Sequence, residues 1–438
     1  MSVTDQQVVA SIAQAVGEAL ADERVRRNTA GHSSLDLRAE RDFAREVVAR
    51  HLDAVAAQHL ARGDETLSAD AESEVSEAVL ARVLGLGRIQ PLLEASEVND
   101  IHIRGSASTF LKLSDGRRVP SAPVVETDDE LINLVRLIAA RAGRSERRFD
   151  AANPELNIQL PDGSRLFATM EVSSRPSVII RKHRFELSSL AELEDNGLVD
   201  EALSEFLAAA VRAKRNIVIA GGTGSGKTTM LRALLNEVPQ DERIVTIEDA
   251  YELGLDRFEH LHPDYDMLQS RPANIEGRGA VSMVDLTRMA LRMDPDRVVV
   301  GEVRGPEAFP MLMAMSQGNN GSMCTMHADS TRTVFPKLAA YVSMAETGLP
   351  VETVNLLLAT ALHFVVHIET IGGVRRIASV REVVDADGTR IVSNEVFRPG
   401  ADGRAVPGYQ LRDGTLALLE AHGFDAGYLD KPDGWWRW

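Results

Sequence analysis

The chain has one cysteine, few aromatic residues, no long apolar run and no excess of positive charge, and each shortage removes a class of protein. A single thiol, Cys324, in 438 residues excludes an internal disulfide framework and a cysteine-rich zinc site, and it fits a reducing cytosol. Aromatic residues make up 5% of the chain and are not interleaved with basic ones, as a single-stranded nucleic-acid surface requires. Lys and Arg number 48 against 65 Asp and Glu, a net charge of −17. That balance argues against a protein whose main business is neutralising phosphate backbones. No window approaches the ~18 apolar residues needed to span a bilayer. The opening MSVTDQQVVASIAQAVGEAL carries an early acidic residue and no signal-type apolar core, so a membrane role is expected only through a partner. Internal repeats and low-complexity tracts are also missing.

What is present centres on Asn216–Thr229, NIVIAGGTGSGKTT. Asn216–Ala220 has the β-branched apolar texture of a buried parallel strand. It runs into Gly221–Thr228, which fits G-x-x-x-x-G-K-[ST] in full, and Met230, Leu231, Ala233, Leu234 and Leu235 then supply a helix face. Strand, glycine loop and helix together make a phosphate site. Gly222, Thr223, Gly224, Ser225, Gly226, Lys227, Thr228 and Thr229 are the candidate nucleotide-binding residues. Their glycines let backbone N–H groups turn inward, and the helix N-terminus adds its dipole. Lys227 brings a charge to the β- and γ-phosphates, and the Thr228 hydroxyl is a candidate Mg²⁺ ligand. A dinucleotide site has no use for the Lys-Thr pair.

Three further strands are expected to deliver polar groups to the same crevice, since ligands of parallel sheets bind at the C-terminal strand ends. Arg243–Ile247 ends in Glu248-Asp249, with Glu252 in the same loop. Asp296–Glu302, DRVVVGE, ends in Glu302 and resembles a Walker B segment, although Gly301 stands where an acid is usual. A carboxylate there orders a Mg²⁺-bound water or takes a proton from the attacking water. Met323–Met326 ends at His327, read as a sensor or positioning group for the γ-phosphate. Cys324 reads as a small core residue, because no base is placed for it.

Elsewhere the chain divides into a helical arm (1–72), a smaller α+β domain (73–185), a linker (186–200), the α/β nucleotide domain (201–397) and a tail (398–438). Val8, Val9, Ile12, Ala15, Val16 and Leu20, and then Phe43, Val47, Val48, Leu52, Val55 and Leu60, recur at helical spacing in the arm. His32 and His51 lack ligand-like companions and read as surface residues. Leu261–Gly279 reads as polar and irregular. Two arginine groups, Arg141, Arg144, Arg147 and Arg148, then Arg175, Arg181 and Arg184, are either solvated ion-pairing residues or groups that reach a nucleotide with their planar forks. Trp435-Trp436-Arg437-Trp438 is expected to fold back on its own domain or to anchor a partner.

Taken together, TIEDAYEL (Thr246–Leu253), RPANIEGRG (Arg271–Gly279), LRMDPDRVVVGEVRG (Leu291–Gly305) and GSMCTMHA (Gly321–Ala328) resemble the secretion ATPase superfamily. Its members are the motors of type II and type IV secretion and of type IV-like pili. GLGRIQPLL, LPDGSRL and VIIRKH look most like the branch that powers tight-adherence (Tad/Flp) pili. The resemblance implies a RecA-like P-loop ATPase domain behind a PAS-like domain, ATP and Mg²⁺ as cofactors, and a cytoplasmic homohexamer working on polytopic inner-membrane platform proteins. It also implies Glu302 as catalytic and metal-associated glutamate, Glu248 as a second essential carboxylate and His327 as γ-phosphate sensor. Some of Arg181, Arg271, Arg278 and Arg304 would complete the site. Two positions depart from the family pattern: Asn319 where the His box often has His, and Asp294 where Arg is common. A DNA translocase and a nucleotide-gated scaffold with little turnover are the competing functions.

Overall fold

The computed structural model describes residues 3–29, 35, 37–63, 67–84, 86–142, 148–182, 188–274 and 276–431. His32, Arg144, Arg147, Arg184 and the terminal tryptophans, as well as the side chain of Arg141, lie outside the described residues. The chain separates into two compact units, Met1–His183 and Arg184–Trp438. Among the described residues no helix is long and apolar enough to cross a membrane.

The first unit opens with three helices, α1 (Val3–Thr29), α2 (Leu37–Arg62) and α3 (Ala69–Val83). Their stripes meet in one core of Val9, Ile12, Val16 and Leu20, Ala44, Val47, Val48 and Leu52, and Val75, Val79, Leu80 and Val83. The arm expected to end at residue 72 therefore draws its third wall from a helix that runs to residue 83. Leu60, on the periodic stripe of α2, is exposed, because the buried layer of that helix ends at Leu52.

After the short α4 (Gln90–Glu94) come β1 (Val98–Arg104), β2 (Ser108–Leu113), β3 (Arg118–Ser121), α5 (Asp128–Ala142), β4 (Glu155–Gln159), β5 (Arg165–Thr169) and β6 (Ser177–Arg181). The strands form an antiparallel sheet in the order β3-β2-β1-β6-β5-β4. Period-two alternation turns Ile101, Ile103, Leu166, Ala168, Val178 and Ile180 to one face, where they share a core with Leu131, Val135 and Ile138 of α5. Arg181 lies on the other face, with its Nε 2.9 Å from Asp100 Oδ1.

The second unit runs α6 (Leu190–Asp195), α7 (Glu201–Arg212), β7 (Ile217–Gly221), α8 (Lys227–Leu235), β8 (Ile244–Glu248), β9 (Tyr265–Gln269), α9 (Met283–Ala290), β10 (Arg297–Val303), α10 (Ala308–Ser316) and β11 (Met323–Met326). It continues with α11 (Val334–Met344), α12 (Val351–Ala361), β12 (Phe364–Ile371), β13 (Val374–Asp387), β14 (Arg390–Pro399), β15 (Ala405–Pro407) and α13 (Asp413–Glu420). The sheet order is β15-β14-β13-β12-β7-β11-β10-β8-β9. From β12 to β9 every pairing is parallel, and from β12 to β15 every pairing is antiparallel. The P-loop strand β7 is separated from β10 by β11, which is the RecA-like order.

Both faces of the parallel strands are covered. Ile217, Ile219, Ile244, Val299, Met323 and Phe364 face a core shared with α7 and α8. Val218, Ala220, Val245, Ile247, Val298, Val300 and Cys324 face a second core shared with α9 to α12. This is why these strands read as continuous apolar runs rather than alternating ones. Cys324 is fully buried, and burial pushes its thiol up to about 12.

Three segments differ from their sequence reading. The stretch 261–279 contains β9, which extends the parallel sheet beyond β8. In the segment read as a linker, Ser189 and Glu192 form a capping box on α6, and Leu190, Leu193, Leu198 and Val199 belong to the core of the second unit. The segment read as a tail is also built in: β14 runs through residue 397, and Leu411, Leu419, Phe424 and Tyr428 are buried. Phe206 of α7 packs edge-on against Phe364, Phe397 and Phe424, with ring centroids 5.1, 5.2 and 5.6 Å away. Glu382 of β13, itself buried, accepts from Arg412 Nε at 2.9 Å and Thr415 Oγ1 at 2.6 Å.

One buried amide sets the P-loop strand among its neighbours. Asn216 Nδ2 donates to Met315 O (3.0 Å) and Ala361 O (2.6 Å), and its Oδ1 accepts from the N–H groups of Gly321 (2.8 Å) and Ser322 (3.0 Å). With both donors and both acceptor sites satisfied, this side chain ties the start of β7 to the ends of α10 and α12 and the approach to β11.

Candidate active site

Parallel pairing carries β7, β8, β10 and β11 to the same edge of the sheet, so the four motifs read from the sequence meet there. The P-loop leaves β7 at Gly221, where a Cβ would lie 2.5 Å from Ile368 O and 2.6 Å from Ser225 Oγ. Only glycine fits between β12 and the loop. Gly224 and Gly226 take φ of 73° and 98°, and Gly226 caps α8 with no side-chain hydrogen bond, leaving the helix N-terminus to other acceptors. Thr228 and Thr229 occupy the first turn of α8 and are half-buried.

Lys227 Nζ donates to Gly221 O (3.1 Å) and Gly222 O (2.8 Å) and lies 3.4 Å from His327 Nδ1. Burial lowers its pKa, with Glu302 opposing that change. On the far side of the imidazole, His327 Nε2 is 2.8 Å from Glu302 Oε1. Burial and then the Lys227 ammonium lower the His327 pKa, so the ring is neutral at pH 7. An ammonium at Nδ1 requires a lone pair there, which places the remaining ring proton on Nε2, facing the Glu302 carboxylate. Arg304 Nε donates to Glu302 Oε2 at 2.7 Å, and its Nη2 contacts the same oxygen. Lys227, His327, Glu302 and Arg304 thus form one continuous polar line across three strand ends.

Glu248 stands behind this line and is buried. Its Oε1 accepts from the N–H groups of Glu252 (2.9 Å) and Leu253 (3.0 Å), while Oε2 is buried with no hydrogen-bond partner among the described residues. Desolvation raises its pKa to about 7, and the two backbone donors oppose that rise. The capping loop is held by Arg232 of α8, which donates to Glu252 O from Nε (3.0 Å) and Nη2 (2.7 Å). Sequence reasoning missed Arg232. Its only local signal is its place on the P-loop helix.

The unusual Gly301 has a steric cause: a Cβ there would lie 3.1 Å from Glu248 Cγ and 3.4 Å from Oε1. The Glu248 side chain fills the space that a residue 301 side chain would need. Gly301→Ala is expected to cost about 1–3 kcal/mol by overpacking, read from thermal melts. In a Glu248→Ala background that cost should vanish; equal costs in both backgrounds would place the strain elsewhere.

The other sequence candidates are not drawn into the polar line. Arg271 Nε donates to Gly279 O at 2.9 Å, and Arg278 N–H donates to Asn274 Oδ1 at 2.9 Å. Both stay within their own loop and make no hydrogen bond or ion pair with the P-loop among the described residues. Arg181 belongs to the first unit. Asn319 serves a structural end, with Nδ2 donating to Pro295 O and its carbonyl accepting from Ser322 Oγ. Asp294 sits at φ 53°, a left-handed conformation that Asp tolerates better than most side chains.

Among the described residues no group of three or more His, Cys, Asp or Glu is arranged to hold a metal ion. A hard cation bound by few protein oxygens plus phosphate does not need one. Ser225 Oγ and Glu248 Oε2, buried with no hydrogen-bond partner among the described residues, the Thr228 hydroxyl and the Glu302 carboxylate are oxygens of the kind that Mg²⁺ takes.

A protein of Mycobacterium tuberculosis whose name places it provisionally in conjugal transfer is 34% identical over 314 residues, covering 69% of this chain and 86% of its own. Type IV secretion system protein PtlH of Bordetella pertussis is 32% identical over 315 residues, covering 66% of this chain and 90% of its own. The crystal structure of the VirB11 ATPase from the Brucella suis type IV secretion system in complex with sulphate aligns at 28% identity and a TM-score of 0.36. It covers 67% of this chain and 94% of that one. The fold assignment rests on the strand order described above and not on that superposition. The family model for type II/IV secretion system proteins matches residues 86–388, which hold the front sheet, the P-loop and every strand of the polar line. The chain belongs to the type II/IV secretion system protein family.

Proposed function

We propose that the protein is a Mg²⁺-dependent ATPase that powers assembly or retraction of a Tad/Flp-type pilus, or secretion, from the cytoplasmic face of the inner membrane. The observation that carries the reading is the line Lys227–His327–Glu302–Arg304, closed by contacts of 3.4, 2.8 and 2.7 Å. It gathers a phosphate-binding cation, a neutral imidazole and a carboxylate at the mouth of a complete P-loop. Acting as a homohexamer on polytopic platform proteins is part of the same proposal, and so is the arrival of Arg181, Arg271 or Arg278 from a neighbouring subunit.

In this mechanism, backbone N–H groups of residues 222–229 and Lys227 hold the polyphosphate and stabilise the charge that develops on the transferred phosphoryl group. Water attacks the γ-phosphorus in line with the leaving ADP oxygen. Glu302 accepts the proton of that water, and Glu248 holds the Glu252–Leu253 loop and supplies a second carboxylate nearby. His327 orients the γ-phosphate through its ring N–H. Thr228 and Glu302 would hold Mg²⁺, whose contribution when bound is to neutralise charge on the β- and γ-phosphates.

Lys227→Ala tests the binding half of this reading. Loss of a charge-assisted contact of about 1.5–3 kcal/mol should weaken ATP binding roughly 10- to 100-fold by calorimetry. Unchanged affinity would remove the P-loop from the function.

A further inference from the structure

The β12–β13 hairpin brings to the P-loop a residue that no motif marks. β12 lies beside β7 in parallel register, with Ile368 opposite Gly221. Residues beyond Ile368 therefore overshoot the end of β7 into the space of the loop. Ile371 pairs with Val374 across a two-residue turn, and Gly372 and Gly373 take φ of 59° and 84°. Two consecutive positive φ values suit the tight turn that matches strand twist. On the returning strand, Arg375 pairs with Thr370.

The Arg375 stem rests on the loop itself: a Cβ built on Gly226 would lie 3.5 Å from Arg375 Cδ. Its guanidinium thus has its origin at the N-cap of α8, beside the N–H groups that face phosphate. Arg375 is exposed and makes no hydrogen bond or ion pair among the described residues. The hairpin that carries it is braced. Arg376 Nη1 donates to Asp402 O at 3.1 Å, and a Cβ on Gly403 would lie 2.2 Å from Ile371 Cδ1, so the turn at 400–404 packs directly on the hairpin tip.

We propose that Arg375 is a polyphosphate-binding residue of the nucleotide site, supplied by the same chain as the P-loop. The inference rests on the nucleotide reading above. Lys227 approaches the phosphates from the buried side of the loop, where it bonds Gly221 O and Gly222 O. Arg375 approaches from the exposed side with a fork suited to two phosphate oxygens. Two cations of different reach on opposite sides of the loop would favour the more highly charged polyphosphates.

Calorimetric titration of the full chain with ATP, ADP and inorganic tripolyphosphate, in the presence of Mg²⁺, tests this. Arg375→Ala is expected to weaken ATP and tripolyphosphate in parallel by roughly tenfold, and ADP by less. Arg375→Lys, which keeps the charge but not the fork, should fall between Arg375→Ala and wild type. Affinities within twofold of wild type would overturn the inference. So would a loss confined to ATP and ADP with tripolyphosphate unchanged, since that pattern puts Arg375 on the base. With Lys227→Ala run in parallel, wild-type binding that Lys227→Ala weakens and Arg375→Ala leaves intact would overturn this inference alone. Wild-type protein that binds none of the three ligands would overturn the nucleotide reading and Arg375 with it.

Discussion

Glu302→Gln should lower the steady-state rate of ATP hydrolysis by ~10²–10⁴-fold, the usual cost of losing a positioned base. Glutamine keeps the length and one acceptor oxygen, which can still accept from Arg304 Nε as Glu302 Oε2 does, while its NH₂ group takes the Oε1 position beside His327. What it cannot do is take a proton from water. The variant should therefore fold, assemble and bind ATP as the wild type does, and it should fail only at turnover. Light scattering on both proteins guards against a trivial loss of assembly. Equal rates in oligomers of equal size would remove Glu302 from the chemistry. Rates near zero in both would favour a nucleotide-gated scaffold, or a motor that turns over only with its membrane partner.

Glu248→Gln should change how stability depends on pH. Folding raises the Glu248 pKa from 4.5 to about 7 by burial. Between those values the folded chain binds more protons than the unfolded one, so stability is greatest below pH 4.5 and falls as pH rises towards 7. The difference corresponds to about 3 kcal/mol across that window. Glutamine carries no charge to desolvate, so its melting profile should lack this slope. Its amide group would face the position where Oε2 has no partner among the described residues, an offset of about 1–3 kcal/mol at every pH. The decisive quantity is therefore the slope difference and not the absolute stability. Between pH 5 and pH 8 the wild type should lose roughly 6–12 °C in melting temperature relative to Glu248→Gln. Parallel profiles would mean that Glu248 stays ionised throughout and that solvent or a cation reaches it. In the ATPase assay, a wild-type rate that rises through about pH 7 would show the same titration acting on turnover.

Much of the site was legible because its parts are local. The P-loop is one unbroken stretch, and its glycines, Lys227 and Thr228 are recognisable by type and spacing alone. The carboxylates Glu248 and Glu302 could be placed at strand ends because the runs before them, IVTI and VVV, are too apolar for anything but a buried sheet. The C-terminal segment was illegible for the opposite reason. Residues 398–412 are rich in glycine and proline, and the three-residue β15 exists only because β14 supplies its hydrogen bonds. Likewise β9 has no fully buried face, so its sequence carries no strong apolar pattern.

By itself, then, the sequence determined the chemistry available: a phosphate loop, two strand-end carboxylates, a histidine and a set of arginines. Only the tertiary structure decided which of them meet. His327 reaches Lys227 across 100 residues of chain because β11 is inserted between β7 and β10, and the pairing of strands is a long-range choice that no local pattern encodes. The same pairing selects Arg304 for the polar line, keeps Arg271 and Arg278 in their own loop, empties position 301 for the side chain of Glu248 and lays Arg375 over the P-loop.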